Sequence, residues 1–246
     1  MGIVKNKDGI SGAVGNLVFY EQGNKLLVRS HPYRVKQTAN TKKAASQFGF
    51  VSKADRMFRW HLLYTVPLHT DKTYSWRHRA VFGKLCSRET IDDKTVFSFA
   101  NGNPKTLEGF DFNAESPWEK RCHFFPEFEV DGAGVLTIRI PALRMGEEIK
   151  NHPETQKAVV DFWLVSAVPP APNQAPVNLL WQESFELFSS EANPPVVREI
   201  PNCPANEWLL VLASCRYEFN QSFRFSQNPN KFPQPASTYF WGRGLV

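Results

Sequence analysis

The sequence is short of the features that announce an activity. Its 246 residues include four cysteines, Cys86, Cys122, Cys203 and Cys215, and the nearest two stand twelve positions apart. That spacing makes no metal finger and no redox pair, and a zinc set of Cys122, His123, Cys203 and Cys215 lacks the close pair such sites use. The thiols read as reduced and mostly buried. No apolar run approaches the ~20 residues of a membrane helix, so no membrane span is expected. The opening MGIVKNKDGISG has no apolar signal region; synthesis in the cytoplasm is expected, with cytoplasm, phage particle or non-classical export open as the final location. There is no G-x-S-x-G elbow. The six histidines form no H-E-x-x-H or H-x-H, and Glu127/Glu129 and Asp92/Asp93 come without an acid–base frame. The glycines of Gly9–Asn16 precede a strand, whereas a phosphate loop follows one. No catalytic residue, cofactor, metal or small-molecule substrate is therefore expected, and the chain is not read as an enzyme.

What is abundant is aromatic. Twenty Phe, seven Trp and six Tyr make 13% of the chain, beside eighteen Pro. With few helix-forming runs this favours a β-dominated body. At 42% hydrophobic and 22% charged the composition is globular. The net charge of +5 hides a split. Residues 1–90 hold 16 cations and 5 acidic groups, net +11, and residues 91–246 hold 13 and 19, net −6. Such asymmetry suggests a partner for the basic part: nucleic acid, or the acidic part of another copy.

Along the chain, Leu17–Tyr20 and Leu26–Arg29 read as the strands of a hairpin around Gly23-Asn24. Residues 31–43 form a basic polar connector, with Asn40 or Thr41 as the cap of the next helix. Residues 42–65 carry the clear helical pattern, with Ala44, Phe48, Val51, Phe58 and Leu62 on one stripe, Ala54 or Asp55 between, and Pro67 as terminator. Phe48-Gly49-Phe50-Val51 imitates an RNA-recognition strand, but its flanks and the absent intervening helix favour helix here. Beyond about residue 73 strands predominate: 95–100, 123–130, 134–140, 158–168, 177–188, 196–200, 208–217 and 222–225, with a tight turn at Asp131–Gly134. The expected fold is mainly β: an N-terminal β-hairpin plus one amphipathic α-helix (residues 1–90), followed by an antiparallel β-sandwich (residues 91–246).

The segment Gly9–Tyr20, then Leu27-Val28-Arg29-Ser30 and the helix start Thr41–Gln47, resembles a family of uncharacterised Bacteroidota proteins. These open with a glycine-rich SGKVGNVV-type segment, a hairpin ending in VRS and a helix near a Gln-Phe pair. Ala13 stands here where a Lys is common, and the likeness covers residues 9–60. It implies a hairpin–helix unit ahead of a β-rich body and no activity. The functional expectation is a self-assembling structural protein, a homo-oligomer forming a filament, ring or particle. Its interaction residues would be Leu17, Phe19, Arg29, Arg34, Lys36, Lys42, Lys43, Lys53, Arg56 and Arg59. Two alternatives stand beside it. One is a nucleic-acid-binding accessory protein, with Tyr33 and Trp60 as stacking groups. The other is a carbohydrate- or ligand-binding sandwich using Trp76, Trp118 or Trp241.

Overall fold

The computed structural model describes residues 2–5, 9–22, 25–31, 37–91, 94–151, 155–188, 192–218 and 234–245. Strand outweighs helix by 44% to 23%, and the protein is mainly β with antiparallel sheets. It divides into two compact units, Met1–Ala45 and Ser46–Val246.

The first unit is an antiparallel meander of β1 (Gly2–Lys5), β2 (Gly9–Val14), β3 (Leu17–Gln22) and β4 (Lys25–Ser30), in that spatial order. The expected hairpin is β3–β4, paired from Leu17↔Ser30 to Gln22↔Lys25; its turn, Gly23-Asn24, lies outside the described residues. β2 joins β3 through Gly15-Asn16, where Gly15 sits at φ +58°, the left-handed region that favours glycine. The Asn16 carbonyl accepts from the His31 amide at 2.6 Å.

Helix α1 (Ala39–Thr65) starts three residues before the expected boundary, because Thr38 caps it: Thr38 Oγ1 accepts from the Thr41 amide at 3.1 Å. In the second unit α1 buries Val51, Ala54, Asp55, Phe58 and Leu62. Phe48, expected on the same stripe, is 59% exposed and Ala44 is exposed. A second helix, α2 (Tyr74–Phe82), stands where strands were expected. Its signal was present, since Tyr74, His78 and Phe82 at four-residue steps are its buried side chains.

The body is three layers. Its central sheet runs β11 (Val177–Phe188), β10 (Lys157–Ala167), β14 (Trp208–Glu218), β15 (Ala236–Arg243), all antiparallel. β10 and β14 are buried on both faces, which is why their sequences run apolar without strict alternation. One face, with Ala158, Val160, Phe162, Leu164, Leu209, Val211 and Ala213, packs on a second sheet ordered β13 (Val196–Ile200), β8 (Leu136–Ile140), β7 (Glu127–Val130). That pair of sheets is the expected sandwich. The opposite face, with Trp163, Val165, Trp208, Leu210 and Leu212, packs on Val51, Phe58, Leu62 and Phe82 of the helices. Smaller pieces complete the body: hairpin β5 (Ser87–Ile91) and β6 (Lys94–Ser98), and the pair β9 (Leu143–Arg144) and β12 (Ala192–Asn193).

The β15 margin is covered. Gly109 and Phe112 donate their amides to Tyr239 and Ser237, each at 2.9 Å. A Cβ on Gly242 would stand 2.8 Å from the Pro104 backbone, so this close approach requires glycine. The Asp131 turn forms as expected, its Oδ1 accepting from the amides of Ala133 and Val135 at 2.9 and 2.8 Å. The expected strand at 222–225 lies outside the described residues.

Candidate interaction surface

A sheet needs a covered face to be stable, and two-stranded or uncovered sheets are marginal in water. None of the residues from 11 to 45 whose side chains are described is buried. Register places Val14 opposite Leu17, and Val28 opposite Phe19, with Leu26 two positions before Val28. Val14, Leu17, Phe19, Leu26 and Val28 therefore share one face. Phe19 is half-buried, and the others are 48%, 45%, 46% and 51% exposed. The other face is mixed: Arg29 lies over the Tyr20 ring at 5.7 Å, near Val18 and Leu27. The sequence singled out Leu17 and Phe19. It missed Val14, Leu26 and Val28, which are legible only once the register pairs them.

The expected basic residues separate. Arg29, Lys42, Lys43, Lys53 and Arg56 are exposed, while Arg34 and Lys36 lie outside the described residues. Arg59 turns inward. Its Nε donates to Asp55 Oδ2 at 2.9 Å and its guanidinium lies 5.6 Å from the Tyr74 ring centre. It braces the core and offers little to a partner.

Asp55 is the centre of a buried polar chain, all of it in the second unit. His78 Nδ1 lies 2.6 Å from Asp55 Oδ1, and His78 Nε2 lies 3.0 Å from the Tyr239 hydroxyl. A carboxylate only accepts, so Nδ1 carries the proton, and Nε2 accepts from Tyr239. Burial lowers the His78 pKa against the opposing pull of Asp55, keeping the ring neutral. The order Asp–His–hydroxyl has the form of a catalytic relay, but Asp55 and His78 are 0% exposed and Tyr239 is 1% exposed. Phe58, Tyr74, Phe82, Phe110 and Phe112 close around the imidazole. No substrate reaches those atoms in this conformation, and the chain serves to join α1, α2 and β15.

Other groups with chemical potential are similarly occupied. Cys122 and Cys215 meet in the core, where burial and the neighbouring Cys215 sulfur push the Cys122 thiol up. Cys203 donates to the Ile200 carbonyl at 3.5 Å, and among the described residues no three metal-ligating side chains converge. Glu129 pairs with Arg139 at 3.2 Å. An open cleft of about 580 Å³ is lined by Glu115, Lys120, Arg121, His123, Glu147 and Lys150, charges of mixed sign. Of the three tryptophans expected at a ligand surface, Trp118 is 4% exposed and in the core, and Trp241 is half-buried against Phe128. Both correct that expectation, because their rings supply packing area to the sandwich; Trp76 is 57% exposed. No family model, curated protein or solved structure matches this chain.

Proposed function

We propose that this is a non-enzymatic structural protein that self-assembles through its N-terminal sheet. The observation that carries the proposal is the apolar face of Val14, Leu17, Phe19, Leu26 and Val28 on a unit with no buried side chain among those described. Fully burying a Val or Leu side chain is worth ~1.5–3 kcal/mol. Covering four that are half-exposed is worth roughly 3–6 kcal/mol, enough to decide whether such a sheet persists.

Charge selects the partner. The unit Met1–Ala45 carries eight cations and two acidic groups, so face-to-face pairing of two such sheets brings like charges together. The outer face of the β13-β8-β7 sheet is complementary. Register aligns Glu127, Arg139 and Val197 in one row and Glu129, Thr137 and Glu199 in the next. That face holds three carboxylates to one guanidinium, with Val197 56% exposed. Docking the basic sheet of one copy there gives a head-to-tail contact, which closes into a ring or propagates as a filament.

The test is the mass of full-length protein by light scattering at tens of micromolar. Assemblies above the 28.1 kDa protomer are expected, and Leu17→Asp with Val28→Asp should reduce them to folded monomer. Wild-type protein that is monomeric, or a double variant that assembles unchanged, overturns the proposal.

A further inference from the structure

Helix α1 presents a second exposed surface, on the part of it that belongs to the unit Ser46–Val246. Opposite its buried stripe, Lys53, Arg56, Trp60 and Tyr64 follow at steps of three and four and so line one side of the helix. Trp60 is 61% and Tyr64 84% exposed. Their rings stack, 6.1 Å between centres and 19° from parallel. His61 also stands edge-on to Trp60, 4.8 Å between ring centres. Two large aromatics stacked in water are an expensive way to finish a helix surface.

The stretch that carries them is strongly basic. Residues 46–88 contain eight Lys and Arg against two acidic residues, Asp55 and Asp71. Both acids are withdrawn from the surface, their side chains 0% and 4% exposed, and each is bonded to an arginine, Arg59 or Arg77. Lys53, Arg56, Lys72, Lys84 and Arg88 are exposed with no carboxylate of that stretch beside them, and Arg79 lies over the Phe48 ring at 5.0 Å. Internal pairing thus neutralises both acids of this stretch, and α1 itself sets the exposed Lys53 and Arg56 beside the stacked rings.

We propose that the Lys53–Tyr64 face of α1 binds single-stranded nucleic acid. Unpaired bases stack on Trp60 and Tyr64, and phosphates meet Lys53, Arg56 and their cationic neighbours. Stacking needs bases freed from a duplex, and it tolerates any sequence because every base has a π face. The cations supply the sequence-independent attraction and its salt dependence.

The test is fluorescence anisotropy of a labelled fifteen-nucleotide oligo-dT with full-length protein, alongside a duplex of equal length. For three or four phosphate contacts on a single strand, affinity should fall roughly 20- to 50-fold between 50 and 200 mM salt. Trp60→Ala with Tyr64→Ala should weaken binding at least about tenfold at unchanged salt slope. Lys53→Glu with Arg56→Glu should flatten the slope by about 1.4. Phe125→Ala, which removes a 74% exposed ring elsewhere, should bind as wild type. Wild type without salt-sensitive binding overturns the proposal, as does duplex bound as tightly as the single strand, or loss of both aromatics without effect. Light scattering on the same variants separates this face from the assembly contact. A changed mass with unchanged oligonucleotide affinity assigns it to another copy and overturns the proposal.

Discussion

Removing the Asp55 carboxylate should be among the costliest single changes to this protein. In Asp55→Ala the His78 Nδ1–H loses its acceptor at 2.6 Å, and Arg59 loses its partner at 2.9 Å. The imidazole is 0% exposed and walled by aromatic rings, so water cannot replace the acceptor. Breaking a buried pair from one side costs ~3–5 kcal/mol. In a unit of this size each kcal/mol moves the melting temperature by about 2–4 °C, so a fall of roughly 6–20 °C is expected. The double variant Asp55→Leu, His78→Leu removes both polar partners. It should regain part of that loss, since Arg59 is still without its partner and the Tyr239 hydroxyl is left without its acceptor at a cost of ~1–3 kcal/mol. Urea unfolding of wild type, Asp55→Leu, His78→Leu and the double gives the coupling directly. A loss below about 1 kcal/mol in Asp55→Ala, or no coupling in the cycle, refutes the assignment of Asp55–His78 as a structural link.

The same imidazole sets a pH dependence. Burial holds its folded pKa below the ordinary 6.5, so below that value the unfolded chain binds a proton that the native chain refuses. Stability should be complete above pH 6.5 and fall as the pH drops through it, by up to ~1.4 kcal/mol per unit. The double leucine variant should lose that part of the slope and keep the part due to His69, whose pKa burial also lowers. At Asp71, burial acts to raise the pKa, but hydrogen bonds from Thr73 and the Ala114 amide, with Arg77 beside it, outweigh that and hold it at about 2. Asp71→Asn should therefore destabilise at neutral pH and converge on wild type as the pH falls from 3.8 toward 2, which acid unfolding curves will show. Tyr74→Phe removes a buried hydroxyl that has no hydrogen-bond partner, and should be neutral or stabilising by up to ~1 kcal/mol in urea; a loss above that contradicts the reasoning. Gly242→Ala forces a methyl to 2.8 Å from the Pro104 backbone and should cost ~1–3 kcal/mol, read as a lowered melting temperature.

Residues near one another in the chain left their mark on the sequence. Alternation in β8 and β11 and the apolar runs of β10 and β14 declared strands, and the Val51–Leu62 stripe declared α1, because local periodicity records which side is buried. The division of charge between the two ends of the chain is likewise composition, visible before any folding. Three things waited for tertiary structure. Which side of β3 and β4 forms an apolar face depends on cross-strand register, a relation between Val14, Leu17 and Val28 that no single strand contains. Whether a charged residue is surface or core depends on what folds against it: Arg59 and Arg56 look alike in sequence, but only Arg59 meets Asp55 and Tyr74. The chain from Asp55 through His78 to Tyr239 joins residues up to 184 positions apart, since 55 and 239 lie on α1 and β15. Only packing of both helices on the central sheet brings them together, because hydrogen bonds across such separations leave no periodic trace in the sequence.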